Sequence, residues 1–120
     1  MNTTPESFEQ FLNNVEPISD TPEWRMRMLP CVLCKDGFSV SIQASSTHYC
    51  SPRDYVALDN YDSFELGFPS QKEDTIMEYA ENPDDPTNTV YGWVPRGIVT
   101  QLIEKHGGIV KHVTPEPAFY

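Results

Sequence analysis

Cys31-Val32-Leu33-Cys34-Lys35 and Phe38-Ser39-Val40-Ser41-Ile42-Gln43-Ala44 flank the dipeptide Asp36-Gly37. Asp-Gly between two such runs is the strongest short-range signal for a β-hairpin, because a tight type I′ turn needs positive φ at both central residues. A two-residue loop pairs Lys35 with Phe38, Leu33 with Val40 and Cys31 with Ile42. Opposed residues share a face of the pleat. Cys31, Leu33, Phe38, Val40, Ile42 and Ala44 are therefore expected on the buried side. Val32, Cys34, Ser39, Ser41 and Gln43 are expected on the other, which makes a half-buried ribbon.

Eleven prolines punctuate the rest of the chain. Thr4-Pro5-Glu6 reads as a helix start, followed by Phe8, Phe11, Leu12 and Val15 on one stripe and ended by Pro17. Asp62–Phe68 alternates, with Phe64, Leu66 and Phe68 expected inside. Ser70 with Glu73 resembles a capping box, so a helix is expected over residues 71–81 with Ile76, Met77 and Ala80 inward. Thr89–Trp93 reads as a short strand. Pro95 opens a last helix with Ile98, Val99, Leu102 and Ile103 inward, and Gly107 stops it. Ile109–Val113 can add a strand. These elements predict an α+β fold, a small and mostly antiparallel sheet of four or five strands with about three helices on one face. The expected division is an acidic N-terminal helix and linker (1–23), a compact domain (24–113) and an extended C-terminal tail (114–120).

Charge narrows the function. Eighteen acids against eight bases give a net charge of −10. Direct nucleic-acid binding calls for a basic surface and is disfavoured. No apolar run reaches the ~18 residues of a membrane span and no leader pattern opens the sequence, so a cytoplasmic location is expected. The three cysteines, Cys31, Cys34 and Cys50, are an odd number, which argues against a disulfide scaffold. Cys31-x2-Cys34 followed by His48-x-Cys50 supplies four ligands of the type zinc takes. Residues 31 and 34 of one strand point to opposite faces, however, so no cofactor is expected and a zinc-stabilised interaction module is the alternative. His48 and Cys50 are also the ingredients of a thiol nucleophile and its base, but no oxyanion loop accompanies them. His106-Gly107-Gly108 lies at a helix C-terminus, where a phosphate is disfavoured. No catalytic residue is assigned, and an enzyme is not expected.

The acids are unevenly placed. Residues 62–86 carry a net −7 and residues 1–23 a net −5, leaving the remainder at +2. Carboxylates in a fixed array can imitate nucleic-acid phosphates and engage a basic groove on another protein. Glu73, Asp74, Glu78, Glu81, Asp84 and Asp85 are the expected contacts, with Tyr79, Tyr91 and Trp93 as aromatic anchors.

Four stretches carry a resemblance: Gln43-Ala44-Ser45 with His48-Tyr49-Cys50-Ser51-Pro52-Arg53; Glu65-Leu66-Gly67-Phe68-Pro69-Ser70; Thr89-Val90-Tyr91-Gly92-Trp93-Val94-Pro95; and Leu102-Ile103-Glu104-Lys105-His106-Gly107-Gly108-Ile109. Together, over roughly residues 28–110, they resemble a family of small bacteriophage-type proteins with no assigned activity. The resemblance implies a phage accessory protein in a bacterial cytoplasm. By analogy of class it suggests an anti-CRISPR-like inhibitor whose partner is a host defence protein with a basic nucleic-acid-binding surface.

Overall fold

The Asp36-Gly37 hairpin stands at the centre of the structure, a computed structural model that describes residues 4–114. Its arms are β3 (Cys31–Cys34) and β4 (Ser39–Gln43), after a ribbon of β1 (Ser19–Thr21) and β2 (Met26–Met28). β5 (Ser63–Gly67), β6 (Val90–Pro95) and β7 (Ile109–Val113) complete a five-stranded sheet in the order β6-β5-β4-β3-β7. Every pairing in it is antiparallel. With helices α1 (Phe8–Asn14) and α2 (Arg96–Lys105), the fold is α+β.

The hairpin is where expected, but its register is shifted by one. Val32 faces Val40 and Leu33 faces Ser39. Cys34 N–H donates to the Phe38 carbonyl at 2.7 Å and Gly37 N–H to the Cys34 carbonyl at 3.0 Å, so the loop holds residues 35–37. Of these only Gly37 has positive φ, at +97°. Asp36 Oδ1 accepts Phe38 N–H at 3.0 Å. This is the three-residue turn with a left-handed glycine in place of the two-residue form. One additional loop residue turns β3 over. Val32 and Cys34 are buried, while Cys31 and Leu33 face outward and are half-buried. The β4 side follows the expected pattern, with Phe38, Val40, Ile42 and Ala44 buried.

One core joins the sheet to the helices. Phe8, Phe11 and Leu12 of α1 and Val99, Leu102 and Ile103 of α2 pack with Val32, Val40, Ile42, Phe64, Leu66, Tyr91 and Val94. The first helix begins at Phe8 rather than beside Pro5, because Ser7 Oγ accepts Gln10 N–H and Gln10 Oε1 accepts Ser7 N–H. Glu6 and Ile109 exchange backbone hydrogen bonds of 2.8 Å, tying the N-terminal segment to β7. The division at residue 23 is thereby corrected. α1 belongs to the main core, and the boundary cuts the ribbon in which Thr21 pairs with Met26. Of the expected tail, residues 115–120 lie outside the described residues.

Two further expectations change. Residues 71–81 form no α-helix but a short 3-10 segment, Asp74–Tyr79. Ser70 cannot cap a helix there, because its Oγ accepts Ser39 N–H at 3.0 Å, at the start of β4. Phe68 does not continue the inner row of β5. It sits at φ +52° and is 52% exposed.

Candidate functional site

The six proposed acidic contacts do not behave alike. Glu73 is 1% exposed and points inward. Its Oε1 meets His106 Nε2 in a short hydrogen bond, and its Oε2 accepts from Lys105 Nζ at 3.0 Å. His106 Nδ1 lies 2.6 Å from Asp36 Oδ2, and Phe38 stacks on the ring at 4.0 Å. Each nitrogen of the imidazole thus faces one carboxylate. Burial pushes the Glu73 carboxyl up, but hydrogen bonds from Lys105 and His106 outweigh it and hold it below its ordinary range. The Phe38 N–H, then His106, likewise holds Asp36 low. Glu73 is therefore a structural tie between the 73–79 segment, the end of α2 and the hairpin turn. It is removed from the contact set.

Asp74, Glu78, Glu81, Asp84 and Asp85 are exposed. Among the described residues only Asp74 has a cation in reach, Lys72 Nζ at 4.0 Å. Glu81 N–H donates to the Val90 carbonyl at 3.0 Å, which lays this acidic segment along β6. Of the aromatic anchors, Tyr91 is corrected to core: it is fully buried and its hydroxyl donates to the Pro86 carbonyl. Tyr79 is half-buried. Trp93 is 49% exposed at φ +53°, a conformation rarely taken by a bulky residue. It stacks on Tyr49 with ring centroids 5.0 Å apart, and Arg53 lies over Tyr49 at 5.2 Å.

The sheet face turned away from the helices carries a groove of about 690 Å³. Leu33, Ser41, Gln43, Glu65, Gly67 and Phe68 are among its walls, with His48 and Asn88 at its sides. Gln43 is held in place: its Nε2 donates to the Leu29 carbonyl and to Ser41 Oγ, and its Oε1 accepts Leu29 N–H. Glu65 Oε1 accepts Tyr49 N–H at 3.1 Å. Burial pushes the Glu65 carboxyl up; the Tyr49 N–H pulls it back in part, nearby Glu81 adds to the rise and Arg53 opposes it, and the net direction is upward. His48 Nδ1 lies 2.7 Å from Ser45 Oγ. Burial, then the Arg27 charge, pushes this imidazole down to about 4, so it is neutral at pH 7. Sequence reasoning missed this face. The available signal was the opposition of Ser41 and Gln43 with Gly67 and Glu65, small and polar residues facing one another across β4 and β5.

The cysteines are dispersed. Cys31 and Cys34 lie on opposite faces of β3, and Cys50 Sγ donates to the Ser45 carbonyl at 3.2 Å. Among the described residues, no three His, Cys, Asp or Glu side chains converge as metal ligands would. The alternative zinc set of Cys31, Cys34, His48 and Cys50 is thus not assembled. Burial pushes the Cys50 thiol up and, with Asp36, pushes Cys34 up to about 11, the reverse of what activates a nucleophile. Among the described residues no helix is long and apolar enough to cross a membrane. Comparison with family models, curated proteins and solved structures returned no match.

Proposed function

We propose that this chain is a phage-type accessory protein, working in the bacterial cytoplasm, that acts by binding rather than catalysis. Its partner is a host defence protein with a basic nucleic-acid-binding surface, which it occludes in the manner of anti-CRISPR inhibitors. The observation that carries this reading is the acidic segment. Asp74, Glu78, Glu81, Asp84 and Asp85 stay exposed, and among the described residues only Asp74 forms an ion pair, with Lys72 at 4.0 Å. Carboxylates left unneutralised repel one another and favour a cationic partner. Trp93 supports the reading as an exposed aromatic braced by Tyr49, since Trp, Tyr and Arg dominate interface energetics.

The test is capture from a bacterial lysate by the immobilised chain. The expected result is a nucleic-acid-binding protein whose nucleic-acid binding is blocked by the wild type. Combined Asp74→Lys, Glu78→Lys, Glu81→Lys, Asp84→Lys and Asp85→Lys should weaken that complex by more than about 100-fold, and added salt should weaken the wild-type complex. Capture that ignores both charge reversal and salt overturns the reading.

A further inference from the structure

The groove on the open face of the sheet has a size, a charge and a floor that select a ligand. About 690 Å³ is within the ~300–1,000 Å³ range of small-ligand sites. Glu65 is its half-buried carboxylate, and among the described residues it has no cation within salt-bridge distance. Arg53, the nearby guanidinium, is engaged over the Tyr49 ring. One Glu65 oxygen takes the Tyr49 N–H, and the other makes no hydrogen bond among the described residues. A carboxylate partly withdrawn from water, felt by Arg53 at a distance but touched by no cation, offers its second oxygen to one.

The floor beside it is flat. Gly67 follows Glu65 by two residues and so occupies the same face of β5. A Cβ placed on it would touch only its lateral neighbours, Val90 Cγ1 at 3.6 Å and Ser41 Cβ at 3.8 Å. Past Gly67 stands Phe68, held outward at φ +52°. A non-glycine residue in that region is strained, and such strain concentrates where a side chain is needed in place. Carboxylate, a buried glycine between Val90 and Ser41, and aromatic wall run in line along β5. An arginine side chain has this profile: a planar cation for the carboxylate, an alkyl stem for the floor and affinity for aromatic faces. A free amino acid would bring its own carboxylate toward Glu65 and Glu81.

We propose that this groove binds an arginine side chain presented by a polypeptide, with the guanidinium on Glu65 and the stem crossing Gly67 to Phe68. The assignment deepens the reading of a basic partner and rests on it for the source of the arginine. The probe is the blocked tripeptide acetyl-Gly-Arg-Gly-amide, titrated into the isotope-labelled chain and followed by amide shifts. Shifts should centre on Leu33, Ser41, Gly67 and Phe68. The matching citrulline peptide, equal in shape but uncharged, should bind about tenfold more weakly. Glu65→Gln should weaken the arginine peptide by at least about tenfold. Gly67→Val, a substitution suited to a strand, should do the same by filling the floor while the remaining spectrum stays folded. Equal binding of the two peptides, or full binding by either variant, overturns the assignment. So does agmatine binding more tightly than the peptide, which would make the ligand a free small molecule. This titration needs no partner protein. Its failure removes the groove assignment, whereas loss of salt-dependent capture removes the acidic-segment reading.

Discussion

The two faces of the sheet each hold a glutamate and a histidine, and treat them in opposite ways. On the helix side Glu73 and His106 are bonded to each other, and Lys105 and Asp36 complete the set. On the open side Glu65 bonds Tyr49 N–H and His48 bonds Ser45 Oγ, and no ion pair joins them. Glu73 is held below its ordinary range and Glu65 is pushed above it. The same residue type is a fastening where its charge is matched and a potential contact where it is not. Burial alone does not separate the two, because both carboxyls are pushed up by it. The cations decide.

The largest test of this contrast is Glu73→Gln. It keeps the shape but leaves His106 and Lys105 without the carboxylate that both contact. Breaking a buried charge pair by removing one member costs roughly 3–5 kcal/mol. Lys105 is half exposed and regains water, so a value near the lower end is expected in urea denaturation. A loss below about 1 kcal/mol would show that the network is not a fastening.

The second test separates the two faces by pH, through His48 on one and Glu73 on the other. His48 has a folded value of about 4 against an ordinary 6.5, so the unfolded chain takes up the proton first as pH falls. The stability this gives is complete above 6.5 and is lost progressively down to about 4. The linkage amounts to roughly 3 kcal/mol at most. Glu73, held low, begins to lose its contribution only below its ordinary 4.5, so the two windows barely overlap. Urea midpoints measured through this range should fall in the wild type and flatten in His48→Gln. Equal slopes in both proteins would refute a neutral, desolvated His48.

How much of this was legible follows from how local each cause is. The rows Phe64/Leu66 and Val99/Leu102/Ile103 follow from periodicity, because the helix or strand repeat alone sets them. Asp36-Gly37 located a turn but not its length, since glycine serves both the two-residue and the three-residue loop. That one ambiguity inverted Cys31–Cys34. Ser70 and Glu73 have capping-box spacing, yet each is claimed by a partner far along the chain, Ser39 for one and His106 for the other. No local pattern encodes such competition. The β1–β2 ribbon was hidden by the shortness of its strands and by Pro22 between them. Of the acidic surface, five of six carboxylates are exposed as expected. The Glu65 groove was invisible because alternation shows which residues leave the core, not whether another layer covers them.

The smallest effect is the most diagnostic of the open face. The Glu65 carboxyl is raised above its ordinary 4.5 by burial, so the native state holds its proton more tightly than the unfolded chain. Stability from this group is present at low pH and declines as pH rises past 4.5, until the native carboxyl has ionised. That slope is opposite in sign to those of Glu73 and His48. Glu65→Gln removes it, so the variant should match or exceed the wild type at pH 7, by less than about 1 kcal/mol because the group is only half-buried. The difference should shrink to the baseline effect of the substitution below about pH 4. A clear destabilisation at pH 7 would mean that Glu65 is already matched by a cation, and the contrast between the two faces would fail with it.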